Sequence, residues 1–107
     1  MQGLDISTHA VAQVILMTRD LDREEGELRA FIDRLSEEEQ AGLVALMWVG
    51  RGSFEPEELG EALQTAYREA TTATSDYLIG TPHVSDHLES ALDMFGVDVT
   101  ELEDELT

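Results

Sequence analysis

The stretch Ser36-Glu37-Glu38-Glu39-Gln40-Ala41-Gly42-Leu43-Val44-Ala45-Leu46-Met47-Trp48-Val49-Gly50-Arg51-Gly52 carries both its own start signal and its own stop signal. Ser36 followed three residues later by Glu39 is a capping box, in which each side chain accepts a hydrogen bond from the other residue's backbone N–H. Leu43, Leu46 and Met47 share one face of the helix that follows, and Val44 and Trp48 broaden it. Gly50 and Gly52 bracket Arg51, and the chain is expected to turn sharply there, because glycine adopts positive φ without a Cβ clash.

Working outward towards the N-terminus, Leu28, Phe31, Ile32 and Leu35 repeat at helical spacing, with Glu24 and Glu25 early, where negative charge suits the helix dipole. Gly26 weakens the first turn of that helix. Before it, Ser7 is a good N-cap for a helix carrying Ala10, Val14, Met17 and Leu21, widened by Val11 and Ile15. So wide an apolar face would pack centrally in a bundle or against a second copy of the chain.

Towards the C-terminus, Pro56 suits a first helical turn, and Leu59, Leu63, Ala66, Tyr67 and Ala70 continue a fourth helix towards Tyr77 and Leu78. Thr71 to Ser75, rich in Thr and Ser, is where that helix should fray or bend. Gly80 breaks the chain; Thr81 is then the expected N-cap and Pro82 the first residue of a fifth helix with Val84, Leu88, Ala91, Leu92 and Phe95 on its apolar side. Gly96 should stop it. No run alternates as a half-buried strand does. The expected fold is all-α: a compact bundle of about five helices over residues 1–96, then an acidic tail, 97–107, mobile or loosely docked through Leu102 and Leu106.

Composition narrows the function classes. At 107 residues, 42% of them hydrophobic, the chain is long enough to form one domain with a real core. It has no cysteine, which rules out disulfides, thiol nucleophiles and cysteine-ligated metals. Neither a secretory signal nor a run of about 18 apolar residues is present, so a cytoplasmic protein that does not span a membrane is expected. There are 24 Asp and Glu against 6 basic residues, every one arginine, for a net charge of -18. Such a surface repels phosphate backbones, so direct nucleic-acid binding is not expected. The acidity reads most simply as a solvated surface from a GC-rich genome or a salty habitat. As a functional feature it would suit a basic protein partner, or nucleic-acid mimicry if carboxylates were spaced like phosphates.

No motif specifies catalysis, and no cofactor site is legible. His83 and His87 stand four apart with Asp86 between them, a spacing that can place two imidazoles on one metal. A zinc-protease arrangement would need Glu where Asp86 stands and a third ligand from elsewhere, so two partly exposed histidines are the simpler reading. The loop from Gly50 to Glu58 lacks the alternating oxygen donors of a calcium loop and the lysine of a phosphate loop, which favours a structural turn with Arg51 bonding helix-end carbonyls or a carboxylate. Trp48, Phe54, Tyr67 and Tyr77 cluster around the third and fourth helices; core packing is their ordinary role, and a ligand pocket or partner groove is the alternative.

Leu43 to Gly52, followed by an acidic helix start, resembles the hallmark of a small bacterial family, domain of unknown function 3775, and Pro82, Asp86, Leu88 and Leu92 are similar to its second recurring block. The resemblance covers roughly Leu28 to Phe95. It implies a helical fold and no particular activity, cofactor or partner, and it marks Trp48, Gly50, Arg51 and Gly52 as the turn to inspect first. His87 departs from the pattern of the second block.

The expected function is a non-enzymatic interaction or regulatory module presenting an acidic surface, with a homodimer through the first helix and a basic protein as partners. The alternative is a small ligand- or metal-binding protein using the Trp48/Arg51 turn or His83 and His87.

Overall fold

The computed structural model describes residues 6–69 and 72–97. Within them the order is α1 (Thr8–Thr18), α2 (Leu21–Asp33), α3 (Glu37–Arg51), a 3-10 turn (Pro56–Glu58), α4 (Leu59–Arg68), α5 (Thr74–Ile79) and α6 (Val84–Met94). The fold is all-helical, and no described helix is long and apolar enough to cross a membrane. Expectations for Ala70, Thr71 and the tail from residue 98 lie outside the described residues.

The central element is α3, buried without interruption from Ala41 to Val49, as a helix apolar on every side must be. It packs most extensively on α6 and α4 and also touches α5, while α1 lies against α6 and α2, and α2 reaches α5. On α1, Val11, Ala12, Val14 and Ile15 are buried against these neighbours.

The expected caps form with their expected atoms. Ser7 Oγ accepts from Ala10 N–H at 3.1 Å. The Ser36 and Glu39 side chains accept from each other's backbone N–H at 3.1 and 3.0 Å. Gln40 Nε2 donates to the carbonyls of Ile32 and Leu35 at 2.9 and 3.2 Å, tying the start of α3 to the C-terminal end of α2. Replacing Ser36 by Ala should lower stability by about 1 kcal/mol, the usual worth of such a cap, read as a shift of the urea midpoint at constant slope.

At the end of α3, Gly52 has φ 91°, with Ser53 N–H donating to Trp48 O and Gly52 N–H to Val49 O, a Schellman motif. Gly96, with φ 79°, closes α6 in the same way through Val97 and Leu92. Gly50 is different. It lies inside α3 instead of in the turn, and a methyl group built on its Cα would fall 1.6 Å from the carbonyl oxygen of His87 in α6. The residue is required by a helix crossing, which its neighbours in sequence do not announce.

Two further boundaries depart from expectation. The predicted fourth helix is two, because α4 ends at Arg68 and α5 begins at Thr74. Contacts with α2 hold α5 in its own direction: buried Ser75 donates to Asp33 Oδ1 at 2.8 Å, and Arg29 pairs with Asp76. Hydrogen bonding to Asp76 also raises the Arg29 pKa, which is already high. Thr81 does not cap the last helix. Its hydroxyl donates to Tyr77 O at 2.7 Å and its N–H to Leu78 O, so it finishes α5. Pro82 falls in the following turn, and α6 starts at Val84 after His83, a left-handed residue with φ 60°, a conformation that histidine tolerates better than most side chains.

Candidate functional site: an aromatic groove with an acidic edge

The break between α4 and α5 opens a concave space beside α3. Glu37, Gln40, Ala41, Val44 and Trp48 of α3 form one wall, positions that recur on one face of a helix. Ala66, Tyr67 and Glu69 at the end of α4, with Thr74 and Tyr77 of α5, form the other, around a volume of about 650 Å³. Each wall has a local cause. The capping box fixes where α3 begins and so places Glu37 and Gln40, while the Ser75–Asp33 bond turns α5 so that Tyr77 faces Trp48.

Trp48 is the floor, buried to 8% exposure. Its Nε1 donates to the Tyr77 hydroxyl at 2.9 Å, and its ring stacks on Phe54 with centroids 5.9 Å apart and planes 28° apart. Tyr67 stands at the rim, 49% exposed. Both Nε2 hydrogens of Gln40 are taken by the end of α2, so its amide offers a ligand the carbonyl oxygen, an acceptor. The indole N–H is likewise taken. Among the described residues, Glu37 and Glu69 supply the formal charges of the lining, and no arginine lines it.

Of the residues marked by the glycine turn, Trp48 reaches this groove and Arg51 does not. Arg51 is exposed and its Nε donates to Ser53 Oγ at 3.0 Å within the turn. Gly50 and Gly52 serve packing and capping. The aromatic cluster divides: Trp48, Tyr67 and Tyr77 line the groove, and Phe54 backs Trp48. Glu37, Gln40 and Glu69 were not singled out by the sequence. The spacing Glu37, Gln40, Val44, Trp48 on one helical face was the available signal, but without the α4–α5 break it reads as a helix edge.

His83 and His87 are not successive turns of one helix, since His83 precedes α6 and His87 lies in it. His83 Nδ1 is 3.9 Å from Asp86 Oδ2, and both side chains are largely exposed. Among the described residues, no three His, Asp or Glu side chains gather as a metal-binding group.

Fold and site together define a small all-helical protein with an aromatic groove edged by carboxylates. The chain belongs to the family described as protein of unknown function (DUF3775), whose pattern matches residues 25–97. That span contains the whole groove and leaves out α1. No curated protein and no solved structure matches the chain significantly.

Proposed function

We propose that this chain is a non-enzymatic interaction module that presents an acidic surface to a basic protein partner, with the groove between α3, α4 and α5 as the docking point. The observation that carries the reading is the chemistry of the lining: aromatic surface next to carboxylates, with no cationic side chain among the described lining residues. Long-range charge supports it, since a net charge of -18 draws a basic partner and speeds its encounter. Among the described residues, Arg19 pairs with Glu89 and Arg29 with Asp76, and none of the four lines the groove.

The test is calorimetric titration of the full chain with a short arginine-rich peptide. Saturable binding is expected, weakening by about tenfold between about 0.02 and about 0.2 M salt as screening shortens the reach of the charges. No binding at low salt would overturn the reading.

A second reading, a small-molecule site, is favoured by the groove volume of about 650 Å³, which falls within the usual range for ligand pockets. It predicts a thermal shift with an uncharged or cationic metabolite that the peptide then competes away. A shift that persists at saturating peptide would separate the two sites and favour a small ligand bound elsewhere.

A further inference from the structure

We infer that the groove takes an extended peptide segment of the partner, about five residues long and bound through its main chain; this rests on the proposal that the partner is a basic protein. The dimensions disfavour a helix. Glu37 and Trp48 stand at the two ends of the α3 wall, and at the α-helical rise the stretch between them makes a trough about 16 Å long. Spread over that length, the volume of about 650 Å³ leaves a mean width of about 7 Å, whereas a helix with its side chains is about 10 to 12 Å across. An extended chain rises about 3.3 Å per residue, so about five residues fill the trough. A compact metabolite would occupy one end and leave the other to water.

The polar groups of the lining suit a main chain, which alternates donors and acceptors. Gln40 supplies its carbonyl oxygen as an acceptor, since both Nε2 hydrogens go to the end of α2, and Glu37 and Glu69 add carboxylates. Donors are present as well. They are the hydroxyls of Thr72 and Thr74 and that of Tyr77, whose oxygen accepts from Trp48 Nε1 and whose own hydrogen is left for a ligand. A helical segment satisfies its own N–H and C=O groups and would leave these partners unused, but an extended segment brings one donor and one acceptor per residue. The carboxylates, with no cationic side chain among the described lining residues, select basic side chains on that segment. A second copy of this chain and its own C-terminal stretch are poor occupants on the same ground: the copy brings -18, and Asp98, Glu101, Glu103, Asp104 and Glu105 would meet Glu37 and Glu69.

Trp48 is the chain's single tryptophan and lines the groove, so its fluorescence follows occupancy. The full chain would be titrated with end-capped peptides of about two, five and eight residues, each carrying a pair of arginines with serine elsewhere. Two modified peptides of the same charge complete the set: the middle one N-methylated at its central amides, and the longest one locked as a helix by a side-chain staple. Affinity should rise at least about tenfold from the shortest peptide to the middle one, and by less than about twofold beyond it. N-methylation should cost about tenfold, and the helical peptide should bind at least about tenfold more weakly than its flexible counterpart. Thr74→Val and Tyr77→Phe each keep the bulk of the side chain and lose a hydroxyl, and each should lower the affinity by about three- to tenfold while circular dichroism stays unchanged. Equal or tighter binding of the helical peptide, indifference to N-methylation, or full affinity in the shortest peptide would overturn the extended-segment assignment and leave the basic-partner reading standing. Unchanged affinity in both variants would overturn main-chain recognition by the groove. Failure of every basic peptide to bind would overturn both inferences.

Discussion

Gly50→Ala is expected to destabilise the protein by at least about 3 kcal/mol, beyond the usual cost of overpacking. The new methyl would lie 1.6 Å from His87 O and 2.6 Å from His87 C, with Ala91 N also only 3.1 Å away. All three are backbone atoms, so no rotamer change relieves the clash. α3 and α6 would have to separate by well over an ångström, and these are the two most extensively packed elements. Separation would loosen Leu46, Leu88 and Leu92, each fully buried. Close-packed interiors transmit such a shift instead of absorbing it. Against a total stability of about 5 to 15 kcal/mol, the variant should show a greatly lowered urea midpoint or fail to fold. Gly26→Ala is the matched control: it is also a helical glycine, but nothing lies within 4 Å of the added methyl. It should raise stability by about 0.5 to 1 kcal/mol through helix propensity. If the two substitutions shifted the midpoint alike, the close crossing would be refuted.

Trp48→Ala carries the second large effect, a loss of about 3 to 5 kcal/mol for removing a buried aromatic side chain. Trp48 is at once core and floor, so the change would empty the space against Phe54 and deepen the groove. Trp48→Phe separates the roles, because it keeps most of the bulk and removes the bond to the Tyr77 hydroxyl, at a cost of about 1 kcal/mol. Both variants are followed by circular dichroism during denaturation. An alanine variant as stable as the phenylalanine variant would mean that the ring contributes little packing.

Most of the fold was legible locally. Ser7, Ser36 with Glu39, Pro56, Gly52 and Gly96 each mark a helix end by chemistry confined to a few neighbouring residues, and each does so in the structure. The misreadings share a cause. Thr81 followed by Pro82 has the grammar of a helix start, yet the Thr81 hydroxyl finds a better partner behind it, on Tyr77 O. The aromatic residues of the groove were visible as a cluster, whereas its acceptors were not, because Glu37 and Gln40 look like any exposed residues of an acidic first turn.

Sequence alone determined that the chain is helical, where most helices begin and end, and that its carboxylates far outnumber its cations; these follow from side chains acting on backbone within a turn or two, and from counting. Tertiary structure alone decided that α3 and α6 meet at Gly50, that α5 leaves the line of α4 to reach Asp33 and Arg29, and that a groove therefore stands open beside Trp48. Those outcomes depend on which surfaces meet across the core, and contacts between residues tens of positions apart leave no periodic trace in the chain that makes them.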